Sequence, residues 1–265
     1  MSSHEFQDGL KSTQDNTPQD ITTAIPECPV TIQRKPYVPT SEEESKFKNP
    51  GTARANIASL SSYPDGTQWD DYATRHSHQT VLQQHCAFFD PDHDGVVWPI
   101  DTYRGFRDIG FNILISIISV VIIHFFFSYP TCYTWVPDPF FRLFLDNIHK
   151  TKHGSDTGTY DNEGRFIPQK LEDFFVKYGD GEGIKGLELV RGISGQRVIF
   201  DPVGWGGAVF EWTATYLLLW PEDGIIRKSE VRGIYDGSLF YELKERRMGA
   251  NRGMRAGVNG KGNSA

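Results

Sequence analysis

Positive charge is in short supply in this chain: 27 Lys and Arg stand against 34 Asp and Glu in 265 residues, a formal net charge of −7. That balance argues against a nucleic-acid partner, which needs a basic stripe, and suits cation binding. Cysteine is scarcer still. Cys28, Cys86 and Cys132 are odd in number and show no CxxC spacing, so neither a disulfide framework nor a zinc ribbon is expected, and a reducing, cytosol-facing compartment is. The opening MSSHEFQDGLKSTQDNTPQD lacks a basic start followed by an apolar run, so no secretory signal peptide is expected. Residues 1–75 lack a sustained apolar period and predict a disordered N-terminal arm; the Gly-, Asn- and Arg-rich residues 248–265 predict a disordered tail.

What the chain does contain begins near Thr80, where Val81, Leu82, His85, Phe88 and Phe89 recur at helical spacing. DPDHDGVVWPID comes next. Asp90, Asp92 and Asp94 alternate ahead of Gly95, which permits a sharp turn, and hard oxygen ligands in that arrangement suit calcium. Val96 would add its backbone carbonyl and Asp101 the last ligand, one methylene shorter than the Glu such loops prefer, so weaker binding is expected. Residues 76–108 therefore read as a calcium-binding EF-hand. Three degenerate echoes occupy 159–170, 177–188 and 219–230, each without its first carboxylate but with an apolar eighth position: Phe166, Ile184 and Ile226. The fold class is mainly α, built of EF-hand-like helix–loop–helix units, one intact and up to three degenerate. Two pairs are predicted, the loop at Asp90 packing beside that at Thr159.

Between the loops of the first pair lies the one long oily run, Ile109 to Phe127, about 28 Å as a helix and close to a bilayer's hydrocarbon thickness. Asn112, His124 and two serines dilute it, and Pro130, Pro137 and Pro139 break any helix continuing beyond it. If the flanking loops pack together, both ends lie on one aqueous side, so residues 109–148 form an inserted hydrophobic hairpin or an interfacial helix with a proline turn rather than a single crossing. Residues 149–247 then form a C-terminal helical region of degenerate EF-hand type.

LQQHCAFFD, TYRGFRDIGFNI, SYP, PFF, NIHKTKHGSDTGTYDNEGRF, FDPVGW and YDGSLFYE, in that order from about Leu82 to Leu243, resemble the caleosin family. The resemblance implies one calcium site, a central hydrophobic segment with a proline knot, and bound haem b used for peroxygenase chemistry. His85 of LQQH and His153 of KHGSD stand at the family's haem-ligand positions and are the implied catalytic pair, their proximal and distal roles left open. Arg142 departs from the pattern, standing where plant-type members often carry another proline. The implied function is hydroperoxide-dependent epoxidation or hydroxylation of unsaturated fatty acids at a lipid-droplet surface or endoplasmic-reticulum membrane. The bulk of the chain would face the cytosol, and a homo-oligomer is allowed. Two rivals share the same motifs: a non-catalytic calcium-binding droplet coat or docking protein, and a soluble calcium sensor that the oily run disfavours. Composition alone does not reveal haem, since the chain has no CxxCH motif and a lone histidine on a helix is more often structural.

Overall fold

Strands contribute little among the described residues: each of two ribbons has only two short strands, and helices supply most of the framework. The computed structural model describes residues 37–260. The chain is mainly helical, as the sequence predicts.

Residues 1–36 of the predicted arm lie outside the described residues. From Tyr37 onward disorder is not what the structure has. Helix α1 (Ser41–Lys46) starts at a capping box on Thr40, and α2 (Tyr72–Arg75) comes after a short 3-10 turn. Phe47, Leu60 and Tyr72 are 2%, 0% and 1% exposed, so this polar stretch is anchored by a few apolar residues too widely spaced to make a period. Tyr72 also donates to the Asp236 carbonyl at 2.6 Å, and Thr67 to the Asp236 carboxylate at 2.7 Å.

Helix α3 (Val81–Ala87) begins at Thr80, whose hydroxyl accepts from the Gln83 amide while the Gln83 side chain caps the Thr80 amide in return. The acidic loop leads into β1 (Val96–Val97) and α4 (Pro99–Ile109), which ends at Gly110 with φ +120, a conformation glycine adopts without steric cost. Two residues later Asn112 caps α5 (Ile113–Thr131). Helices α4 and α5 pack as a hairpin, and the chain returns through β2 (Leu143–Phe144) and a 3-10 segment, Leu145–Thr151. Then come α6 (Pro168–Tyr178), β3 (Gly183–Lys185), α7 (Gly186–Gly195), α8 (Pro202–Leu219), β4 (Ile225–Arg227), α9 (Lys228–Tyr235) and α10 (Ser238–Gly260). The predicted disordered tail is thus helical to Gly260, and residues 261–265 lie outside the described residues.

The ribbons divide the loops differently from expectation. β3 and β4 are antiparallel with Ile184 opposite Ile226, so the third and fourth loops meet at their apolar eighth positions as predicted. Val97, however, pairs with Leu143 and not with Phe166. The strand returning from α5 takes the edge that the loop at Thr159 was predicted to fill, while Phe166 exchanges backbone hydrogen bonds with Arg54. Both flanks of α5 are still tied to one ribbon, because Val97 precedes the helix and Leu143 comes after it. Phe166, Leu171, Phe175, Ile184 and Ile226 centre the main core, with Leu60 packed among them.

Helix α5 is inside out for a helix in water. Its buried residues are Ser116, Ser119, His124, Ser128 and Thr131, a polar stripe at near-helical spacing turned toward the body. Ile113, Leu114, Val121 and Phe125 are 57–67% exposed on the outer face. His124 fastens the stripe: its Nε2 lies 2.8 Å from the Thr102 hydroxyl of α4, and its Nδ1 2.6 Å from the Phe141 carbonyl. The residues that interrupt the oily run are therefore those that hold it to the protein.

Candidate functional site

The loop between α3 and β1 gathers the carboxylates of Asp90, Asp92 and Asp94, their oxygens within 4.8 Å of one another. Asp90 is buried; its Oδ2 accepts from the Gly95 amide at 3.0 Å, but its Oδ1 has no partner. Burial, with Asp92 and Asp94 adding repulsion, raises the Asp90 carboxyl above the ordinary carboxylate range. A cation among these oxygens would answer both the orphan atom and the repulsion. Val96 stands at the start of β1, and its amide donates to Asp94 Oδ1 at 2.8 Å. Asp101 stands outside the cluster: it caps α4 through the Trp98 amide at 3.2 Å and lies 3.6 Å from Arg104. Arg142, the departure from the proline pattern, pairs with Asp138 at 2.7 Å and spreads over Trp98, Phe140 and Phe144. The return turn is thus closed by an ion pair and ring contacts and fastened to the acidic loop's ribbon.

A cavity of about 770 Å³ lies between α3, α4, α5, α8 and α9. Its walls are mostly apolar, with Phe89, Phe106, Phe126 and Phe210 among them, and both His85 and His153 line it. Fold and site together thus describe a mainly helical protein with an acidic loop and a mostly apolar cavity that carries two imidazoles.

The two imidazoles are held differently. His85 donates from Nδ1 to the Ile234 carbonyl of α9 at 2.7 Å and packs edge-on against Phe240. That bond leaves Nε2 as the bare nitrogen, and burial lowers the pKa, so the ring is neutral near pH 7. His153 sits on the loop after the 3-10 segment. Asp201, the cap of α8, binds the Ser155 amide at 3.0 Å and its hydroxyl at 2.7 Å, which fastens this loop to α8. On α8, a Cβ at Gly207 would come within 3.2 Å of His153 Nε2, and one turn further Glu211 Oε1 lies 3.5 Å from the same nitrogen. Glu211 raises the His153 pKa against the opposing effect of burial. His153 Nδ1 is buried without a partner.

Lys150, Lys152 and Asp156 also line the cavity, Lys152 pairing with Asp156 at 3.1 Å. Thr157 and Tyr235 share a 2.7 Å hydrogen bond, and burial raises the phenols of Tyr160 and Tyr235, so both keep their protons. Cys86 beside His85 is pushed up to about 12 by burial and is not a thiolate.

The structure therefore gathers Asp90, Asp92 and Asp94 in one loop and His85 with His153 on one cavity. Sequence reasoning missed Glu211 and Gly207. A signal existed: Glu211 is the one charged residue in the apolar stretch 202–221, and Gly207 precedes it by one helical turn.

Residues 77–244 match the family described as Caleosin related protein. The chain is 39% identical over 240 residues to a peroxygenase of Lilium longiflorum, covering 90% of this chain and 97% of that one. It is 37% identical over 168 residues to a probable peroxygenase of Arabidopsis thaliana, covering 63% and 86% of the two chains. A probable inactive peroxygenase-like protein of the same plant is 29% identical over 146 residues, covering 54% and 70%. No solved structure matches. The chain belongs to the caleosin family, and it is an enzyme of the peroxygenase class, an oxidoreductase.

Proposed function

We propose that this protein is a calcium-binding, haem-dependent peroxygenase of lipid surfaces: a fatty acid hydroperoxide gives one oxygen to an unsaturated fatty acid, leaving a hydroxy acid and an epoxide. The observation that carries this reading is the His85 imidazole, its tautomer fixed by the Ile234 carbonyl and its bare Nε2 left free, on an apolar cavity of about 770 Å³. A neutral imidazole with its second nitrogen hydrogen-bonded is the usual form of an axial haem ligand, and the cavity's size and lining suit a flat apolar macrocycle beside an acyl chain. Bound haem supplies the oxygen-transfer chemistry. The protein's share is to hold the cofactor and the acyl chains, exclude water with the phenylalanine walls, and keep Cys86 and the tyrosines protonated and inert.

Calcium is the proposed occupant of the loop at Asp90, Asp92, Asp94, Val96 and Asp101, with the EF-hand reading supported by the strand behind the loop and the helices on each side. For the membrane, the support is helix α5. Its outward aliphatic and aromatic side chains leave roughly 1 kcal/mol per large residue ungained in water at their observed exposures, and a lipid layer would recover it. Because both flanks of α5 join one ribbon, an interfacial helix on a droplet or endoplasmic-reticulum surface, with the body in the cytosol, fits better than a crossing. The coat-protein alternative needs the loop and α5 but gives the histidine-lined cavity no use.

The test is the full chain purified in detergent and loaded with hemin, then given linoleic acid hydroperoxide and oleic acid. A Soret band and epoxide formation are expected, with His85→Ala losing both. A protein that stays colourless under every loading condition would end the haem reading.

A further inference from the structure

His85 and His153 share a cavity but not a chemistry. The Nδ1 of His85 is fixed by a carbonyl at 2.7 Å, and no hydrogen bond engages its Nε2. His153 has the reverse arrangement: its Nδ1 is enclosed by protein with no acceptor to orient it, and its Nε2 faces the Glu211 carboxylate at 3.5 Å. An axial histidine ordinarily has its second nitrogen fixed by an acceptor, which orients the ring and strengthens the ligand. Glu211 is an acceptor for His153 Nε2, but the nitrogen this leaves bare, Nδ1, is enclosed by protein, so of the two rings only His85 pairs an acceptor-bound nitrogen with a bare one that is not enclosed.

From this asymmetry we infer that Glu211 is a positioning residue: it engages His153 Nε2, so that bound haem would be held through the bare Nε2 of His85 and not through His153 as well. The placement of Glu211 is specific. It stands alone as a charge in residues 202–221, one turn beyond Gly207, whose lack of a side chain lets the His153 ring approach α8 to 3.2 Å of where a Cβ would sit. The Asp201 to Ser155 bonds hold the His153 loop and the start of α8 in one register. The inference rests on the haem reading and adds to it a reason why two nearby histidines need not both ligate, which would leave no position for a hydroperoxide.

The test reads spin state, not turnover. Hemin-loaded full chain is expected to be high-spin and to bind cyanide. Glu211→Ala is expected to shift the absorbance and electron paramagnetic resonance spectra to a low-spin bis-imidazole form and to weaken cyanide binding by about tenfold or more, since an internal ligand competes at high effective concentration. Glu211→Gln, whose amide oxygen still engages Nε2, should stay close to the parent. Adding His153→Ala to Glu211→Ala should restore the high-spin form.

A low-spin parent, a Glu211→Ala protein with the parent's spectrum, or a low-spin form that survives His153→Ala would each overturn the inference. Loss of the Soret band in both Glu211→Ala and Glu211→Gln would also overturn it, by assigning Glu211 to cofactor retention. A parent with no Soret band at all instead marks failure of the haem reading itself.

Discussion

In the C-terminal ribbon Ile184 faces Ile226, and the acidic groups around it are answered by the protein itself. Lys228 Nζ donates to Glu172 at 2.7 Å and to Glu182 at 2.9 Å, and Asp180 accepts the amides of Glu182 and Gly183. Asp223 pairs with Arg227. In the N-terminal ribbon Val97 faces Leu143, and three carboxylates gather with no Lys or Arg ion-paired to them among the described residues, Asp90 Oδ1 being buried and unpartnered. Each ribbon clamps one loop, the C-terminal one to a second loop and the N-terminal one to the strand returning from α5. One has its carboxylates paired by the protein, and the other keeps Asp90 Oδ1 buried without a partner, which is the difference between the two.

Removing the internal cation should break this comparison most severely. Lys228→Met leaves Glu172, fully buried, without its ammonium partner, and is expected to cost about 3–5 kcal/mol in urea unfolding, as for a buried ion pair that loses one member. The pH dependence comes from the lysine, whose pKa Glu172 and Glu182 raise against the cost of burial. A base with a raised folded pKa stabilises fully below its unfolded value and loses that contribution as pH rises through the folded one. The parent should therefore lose stability on the alkaline side of the ordinary lysine range, and Lys228→Met should not share that loss. An unchanged unfolding midpoint would mean the C-terminal ribbon is not electrostatically closed in the way described.

The second effect belongs to the open ribbon. Saturating calcium should stabilise the protein by about 2.7 kcal/mol at a hundredfold excess over Kd, and a chelator should return it to the calcium-free midpoint. Asp90→Asn should abolish this response without lowering calcium-free stability, because the amide oxygen keeps the Gly95 bond and the repulsion from Asp92 and Asp94 is gone. A retained calcium shift in Asp90→Asn would place the cation elsewhere.

Much of this contrast was legible in the residues. The DxDxDG run specified its own cluster because all its ligands are local, and the pairing of Ile184 with Ile226 came from two apolar positions in equivalent loops. The partner of Val97 did not, since Leu143 lies 46 positions away across α5 and a local pattern cannot rank it against Phe166. Polar composition hid the packing of residues 37–75, because Phe47, Leu60 and Tyr72 are isolated anchors without a period. In α5 the serines and His124 look like dilution until they are placed at 116, 119, 124 and 128, one face of a helix whose inside is polar. Glu211 needed the fold, because nothing local brings it to a histidine 58 residues earlier.

The smallest expected effect sharpens the same contrast at Asp101. This residue occupies the twelfth loop position but spends its carboxylate on the Trp98 amide and on Arg104, outside the three-carboxylate cluster. A glutamate there is also a good third residue for a helix cap, so Asp101→Glu should keep α4 intact while its extra methylene extends the carboxylate toward the bidentate position that calcium loops use. Isothermal titration should find calcium bound up to about tenfold more tightly, roughly 1.4 kcal/mol. Equal or weaker binding would mean that the geometry of the first three carboxylates, and not the reach of the twelfth, limits what the open ribbon can hold.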